Sequence, residues 1–318
     1  MIVVAKDGSG DFLTINDALK EVEARKIEGA RIFIKKGCYE ERLEIRTPHL
    51  TLLGEDFAET EITGKVGAFD LDQDGVKMGT FRTYTVLVDT HHVRMENLSI
   101  SNRAGIGVRA GQAIALYADG DALEFVNCRL LGRQDTLFIG PLPPKEIEKN
   151  GFLGPKQFSP RINGRQLYEK CYIEGDVDFI FGSGTAFFDQ CEIHSLDLGK
   201  EINGYVTAAS TPEGQEYGFV FHQCHFTGEC APGTVYLGRP WRNFAKTVII
   251  DSVLENHIHP AGWHDWNKED AKETVFYGEG NNTGVGSKTK ERINWLRQIK
   301  NEELSAFQKE KVLGEKRA

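Results

Sequence analysis

Three short stretches place charge where a folded core has no use for it. In GDVDFIFGSG (175–184), Asp176 and Asp178 abut the apolar triplet Phe179-Ile180-Phe181. GRQDTLF (132–138) sets Gln134 and Asp135 in front of another apolar pair, and YLGRPWRN (236–243) supplies Arg239, stiffened by Pro240, with Trp241 beyond it. A fourth stretch, GQAIAL (111–116), adds Gln112. A carboxylate entering an apolar wall is costly unless something pairs with it. Two neighbouring carboxylates split their pKa values, one staying ionised while the other keeps a proton. Such a pair suits a nucleophile with a general acid. An arginine beside the ionised member would hold it charged and oriented. Taken singly, each residue has a plainer reading: Gln112 as a structural hydrogen-bonding residue, Asp135 as a turn cap, Trp241 as packing.

The elements that would bring these residues together are visible in a repeat. FVNCRL (125–130), YEKCYI (168–173), FDQCEI (188–193) and FHQCHF (221–226) share an aromatic residue three places before Cys and an apolar residue two places after. MENLSI (95–100) fits with Leu98 in the cysteine slot, and IIDSVL (249–254) with Ser252. The slot recurs at 98, 128, 171, 191, 224 and 252. The strands around it are short, alternating and rich in β-branched and aromatic residues. Self-similarity at this period, without intervening helices, predicts a parallel β-helix. Stacked coils put equivalent side chains about 4.8 Å apart, so the four cysteines are expected to form a buried ladder rather than disulfides. Asp135 follows Cys128 by seven residues and Asp178 follows Cys171 by seven. Equal phase on successive coils predicts that the two carboxylates are neighbours on one face.

The ends differ from the middle. TINDALKEVEARK (14–26) has helical spacing and is expected to cap the N-terminal end; KERINWLRQIKNEELSAFQKEKVL (290–313) is expected to be a second helical segment. Residues 139–165, rich in Pro and Gly, are expected to leave one coil and return as a long loop. No domain boundary is evident, so residues 1–318 are expected to form a single domain.

The net charge of −9 disfavours binding nucleic acid through its phosphates, which wants a basic face. No apolar run approaches the ~20 residues that span a bilayer, so no membrane association is expected. Met1 is followed directly by IVVAKDGSGDF, without the pattern of a leader. Cytoplasmic placement is expected, with secretion after leader removal as the alternative. Other chemistries are unsupported: there is no G-x-S-x-G elbow and no H-E-x-x-H. The three histidines of HIHPAGWH (257–264) are expected to be incidental rather than metal ligands. DLDQDG (70–75) lacks the twelfth-position glutamate of a calcium loop, where Phe81 stands. KDGSGDF (6–12) lacks the ending of a phosphate loop.

Taken together, KDGSGDF, GQAIAL, GRQDTLF, GDVDFIFG, LGRPW and the GW before the C-terminal segment resemble the pectin methylesterases (pectinesterases, carbohydrate esterase family 8), of bacterial type. The match runs from about Val3 to the last helical segment. The resemblance implies an all-β, single-stranded right-handed parallel β-helix. It implies Asp178 as nucleophile, Asp135 as general acid and later base, and Gln134 and Gln112 as oxyanion stabilisers. Arg239 would hold the nucleophile, Trp241 and Thr80 would contact sugar, and Phe181 would line the groove, with FIF as the groove's outer wall. The implied reaction removes C6 methyl esters from galacturonate units of pectin or methylated oligogalacturonides, by a monomer, with no metal or organic cofactor. The loop at 139–165 is longer than in plant members and matches an insertion that bacterial members often carry. An acyl-thioester hydrolase, or another esterase on the same scaffold, is the main alternative, and Trp241 argues against it. A non-catalytic carbohydrate-binding β-helix is the other, and it would have no reason to keep Asp135, Asp178 and Arg239 together.

Overall fold

The computed structural model describes residues 1–288 and 290–314. They wind as a parallel β-helix whose coils run through three sheets of eleven (A), eight (B) and seven (C) strands. The strands pair in parallel with the coil above and below. One coil passes from Leu123–Val126 in sheet A to Arg129–Leu131 in sheet B and Leu137–Ile139 in sheet C. The next repeats the path at Arg165–Glu169, Tyr172–Gly175 and Val177–Gly182.

Two ladders fill the tube, the expected one of cysteines and a second one of aromatic rings. Phe125, Tyr168, Phe188 and Phe221 stack with ring centroids 4.9, 4.7 and 4.3 Å apart. Each fully buried ring of this kind contributes about 1.5–3 kcal/mol from burial, and offset stacking adds about 0.5–1.5 kcal/mol. Cys128, Cys171, Cys191 and Cys224 are buried beside them as free thiols. Each Sγ donates to carbonyls inside the tube, as Cys171 does to Phe125 O at 3.3 Å and Cys191 to Tyr168 O at 3.3 Å. Burial pushes the thiols of Cys128, Cys171 and Cys191 well above the usual range, so they are inert packing groups.

The residue before each slot makes the A-to-B corner. Asn97, Asn127, Lys170, Gln190, Gln223 and Asp251 all adopt left-handed backbone, with φ between 49° and 55°. Asn and Asp visit that region readily; Lys and Gln do so at a cost, and here the coil imposes it.

Helix α1 (Ile15–Arg25) closes the N-terminal end as expected. Thr14 caps it, Ile15, Ala18, Leu19 and Val22 are buried against the tube, and Lys26 ends it with φ 51°. The C-terminal expectation needs correction. Residues 290–300 are not helical: Arg297–Gln298 adds the last strand of sheet A, and only Asn301–Phe307 (3-10) and Lys309–Leu313 (α) are helical. Leu304, Phe307, Val312 and Leu313 cover the outer face of sheet A, against Leu167, Phe187, Val220 and Val248. The core is met at that end instead by Ile293, Trp295 and Leu296. The charge of the segment suited an exposed helix, but its apolar residues serve two different surfaces.

The loop leaves after Ile139 and returns at Arg165, as expected. Its second half is tied down by two residues. Lys156 forms ion pairs with Asp89 and, at 3.5 Å, with Asp119. Arg161 donates to the carbonyls of Pro143, Lys156, Gln157 and Ser159. Among the described residues, no helix is long and apolar enough to cross a membrane.

Candidate active site

The corner between sheets B and C carries the two carboxylates. Arg129 pairs with Tyr172 and Leu137 with Ile180, a constant offset of 43 residues, so Asp135 and Asp178 occupy the same step of successive coils. Both adopt left-handed backbone, φ 66° and 51°. Aspartate visits that region readily, and the coil turns there as it does at its other corners. Gly175 allows the corner to close: a Cβ there would lie 2.2 Å from that of Phe179 and 2.6 Å from Arg133 O. The Asp135 N–H donates to Val177 O at 3.1 Å, fixing one corner on the other. Asp176 has a different fate. Its carboxylate is buried and accepts from the Val177 N–H at 2.8 Å and from Arg133 Nη1 at 3.4 Å, within the corner itself.

Asp178 meets Arg239 in a two-pronged ion pair: Nε to Oδ1 at 2.8 Å and Nη2 to Oδ2 at 2.7 Å. The guanidinium is clamped between the rings of Tyr205 and Trp266, each 3.8 Å from Cζ. Burial raises both carboxyls. Asp135 goes furthest, because the charge of Asp178 adds to its burial. Asp178 is raised by burial but held back by the hydrogen bonds and charge of Arg239. The pair is therefore split, with Asp178 the ionised member and Asp135 the protonated one. Lys268 stands behind the arginine, donating to Pro240 O at 2.6 Å and Trp241 O at 3.1 Å. Burial and the neighbouring Arg242 and Arg239 push its amine down to about 8.

All eight residues singled out from the sequence line one pocket of about 350 Å³: Thr80, Gln112, Gln134, Asp135, Asp178, Phe181, Arg239 and Trp241. Gln134 is seated closely, since a Cβ on Gly107 would fall 2.1 Å from its Oε1. The apolar triplet divides. Phe181 joins the outer cluster of the groove, whereas Phe179 and Ile180 belong to the interior core. FIF as a whole is therefore not the groove wall, because pairing with the following strand is interrupted between Val177 and Ile180 and the alternation is lost there.

The remaining wall was missed in the sequence. Phe81 lies 5.1 Å from Phe138 and 6.4 Å from Trp241, in stacked orientation with the latter. Phe152, from the loop, meets Phe81 edge-on at 5.7 Å and Trp241 at 6.2 Å. Tyr205 and Trp266 were missed as well; the second tryptophan of GWHDWN was the available signal. The histidines of HIHPAGWH do not converge: His257 is wholly buried, His259 stacks on Tyr236 at 4.2 Å, and His264 accepts from the Trp266 N–H.

A family model described as Pectinesterase matches residues 1–141 and 161–316. The chain belongs to the pectinesterase family. The unmatched stretch between them falls inside the loop. Probable pectinesterase/pectinesterase inhibitor 23 of Arabidopsis thaliana is 34% identical over 302 residues, covering 92% of this chain and 48% of that protein. The chain thus spans about half the length of several relatives of this kind. Pectinesterase 31 of the same plant is 32% identical over 96% of this chain and 90% of its own length. Among solved structures, the pectin methylesterase from carrot superposes with a TM-score of 0.81 at 30% identity, over 98% of this chain and 92% of that one. A pectin methylesterase in complex with a hexasaccharide gives 0.80 at 30% identity, over 99% and 97%. The enzyme from Yersinia enterocolitica gives 0.80 at 29%, over 96% and 100%. The fold of this family member is the right-handed parallel β-helix.

Proposed function

We propose that this chain hydrolyses the C6 methyl esters of galacturonate units in pectin or methylated oligogalacturonides. The observation that carries the reading is the split carboxylate pair, with Asp178 locked to Arg239 and Asp135 buried beside it, in an aromatic groove. The Asp178 carboxylate attacks the ester carbonyl carbon. Negative charge develops on the carbonyl oxygen, towards the side-chain amides of Gln112 and Gln134, a type of contact that contributes about 3–4 kcal/mol. Asp135 gives its proton to the departing methoxide, and methanol leaves an acyl-enzyme anhydride. Asp135, now ionised, takes a proton from water as the water attacks that anhydride. The product departs as the carboxylic acid and gives its proton to solvent, Asp178 is freed as a carboxylate, and Asp135 is left protonated for the next cycle. Arg239 keeps Asp178 charged through a two-pronged contact that a point charge does not reproduce.

Trp241, with Phe181 and Thr80 in the same pocket, offers an apolar face and a hydroxyl to a sugar ring, which supports a carbohydrate ester over an acyl thioester. The solved relative holding a hexasaccharide supports a groove of oligosaccharide length. The pinned loop supports the bacterial-type reading, because it contributes groove wall outside the part matched by the family model. We take residues 1–318 to act as one domain and as a monomer, which light scattering tests.

Methanol release from highly methylated pectin and from short methylated oligogalacturonides, by the wild type beside Asp178→Asn, tests the activity. Release by the wild type alone supports it; no release by folded wild type on either substrate overturns it. For location, action on imported oligomers inside the cell is the first reading and action on polymer outside it the second. Activity confined to washed-cell lysate supports the first, and activity in the medium the second.

A further inference from the structure

Three of the nine histidines meet at one exposed corner, far along the coil path from the carboxylates. Thr51 pairs with Arg94 and Leu52 with Met95, so His49 and His92 occupy the same step of successive coils where sheet C turns into sheet A. Both adopt left-handed backbone, φ 56° and 55°, and their rings stack 4.7 Å apart. His91 completes the group, edge-on to both rings at 5.4 and 5.1 Å. The backbone braces the arrangement: the His49 N–H donates to His91 O at 3.3 Å, and the His92 N–H to Asp121 O at 3.0 Å.

We propose that His49, His91 and His92 form a binding site for a borderline divalent metal ion, Zn²⁺, Ni²⁺ or Cu²⁺, that clips two successive coils together. One ring nitrogen from each residue lies within 4.8 Å of the others. Nδ1 of His91 and Nδ1 of His92 face each other at 2.8 Å, an approach that two neutral rings sustain only with one proton between them. A metal ion takes the place of that hydrogen bond once the donor ring carries its proton on Nε2 instead. Zinc–imidazole bonds of about 2.0–2.1 Å in tetrahedral geometry put ligand nitrogens about 3.4 Å apart. All three rings are exposed, so they are free to turn about χ1 and χ2 towards a shared ion. Imidazole selects zinc, copper and nickel over calcium and magnesium, and the fourth position opens to solvent. The fold itself does not ask for histidine here, since the next coil carries Ala122 at the equivalent corner, φ 54°. The nearby carboxylate of Asp121 is engaged by Arg165 at 2.8 and 2.7 Å, leaving the imidazoles as the donor set. None of the three lines the pocket of Asp135 and Asp178, so the metal is a structural clip and no part of the ester chemistry.

The test uses untagged, chelator-stripped protein titrated with ZnCl₂ in a calorimeter, beside His49→Asn, His91→Gln and His92→Asn. Asn tolerates the left-handed backbone at positions 49 and 92. The expected result is one equivalent of zinc bound by the wild type and at least tenfold weaker binding by each variant. Zinc should raise the wild-type melting temperature by several degrees and leave the variants unchanged. X-ray absorption at the zinc edge should show three imidazole nitrogens. Absence of a saturable equivalent in the wild type, equal binding by the variants, or fewer than three imidazoles at the metal would overturn the proposal. Methanol release is an independent readout that the variants should leave unchanged.

Discussion

Asp135 and Asp178 lie 43 residues apart in sequence and one coil apart in space, at the same left-handed step of the B-to-C corner. Only Asp178 has a guanidinium against it. That asymmetry divides two chemically identical side chains into an anion and an acid.

Replacing the guanidinium by an ammonium keeps the charge and removes the fork. Arg239→Lys should lose at least one charge-assisted hydrogen bond, about 1.5–3 kcal/mol, or roughly tenfold to a hundredfold in kcat/KM. Because Arg239 holds Asp178 down against burial, its weakening raises the carboxyl. The acid limb of the kcat/KM profile should then move to higher pH. A pH–rate series on methylated pectin checks this; an unmoved acid limb would mean that Asp178 is not the group titrating there.

The wild-type profile should be bell-shaped. Activity rises as Asp178 loses its proton and falls as Asp135 loses its own, at a higher pH because burial and the charge of Asp178 both raise it. Asp135→Asn should abolish turnover of methyl ester by removing the proton donor. It should leave binding of de-esterified oligogalacturonide within a few-fold of wild type. Substantial methanol release by this variant would reassign the acid.

Gly107→Ala isolates one glutamine. Gly107 has ordinary backbone, so alanine is tolerated there, but its Cβ would displace the Gln134 amide from 2.1 Å. The expected outcome is a fall in kcat of about tenfold or more, with KM and melting temperature little changed, as for a contact made only in the transition state. A rise in KM alone would place Gln134 in ground-state binding instead.

His257 should make the fold acid-sensitive. Both ring nitrogens are buried without a hydrogen-bond partner, and burial pushes the imidazole down to about 4. Between that value and about 6.5 the unfolded chain binds a proton that the folded chain refuses. Stability therefore falls as the pH drops through this window, by on the order of 3 kcal/mol when complete. His257→Leu should narrow the gap in melting temperature between pH 7.5 and pH 5. An unchanged gap would locate the acid sensitivity in another group.

The parts of this molecule that obey the coil were legible before the structure was known. The cysteine ladder, the phase of the two aspartates and the exit of the loop follow from one repeating geometry. What stayed hidden is what the repeat does not dictate. Phe81 reaches the groove from a single 3-10 turn and Phe152 from the loop, while Tyr205 reaches Arg239 from the strand Gly204–Ala209 and Trp266 from a turn. Lys170, Gln190 and Gln223 carry no local preference for left-handed backbone, yet the tube requires it of them. Phe179 and Phe181, two apart, should share a face in a regular strand; the irregularity after Val177 sends them to different cores. The C-terminal segment read as one helix because its apolar residues were not separable by pattern into those meeting the tube's end and those covering sheet A.

The excursion between residues 140 and 164 leaves the bookkeeping of the coils untouched. Leu123 pairs with Gln166 and Leu137 with Ile180, just as coils without an insertion pair with theirs. Yet Phe152, Glu148 and Ile147 from that excursion stand over the site. Scaffold and wall are therefore structurally separable: a change of length or sequence in this one loop alters the wall of the pocket, while every coil that sets the two aspartates stays as it was.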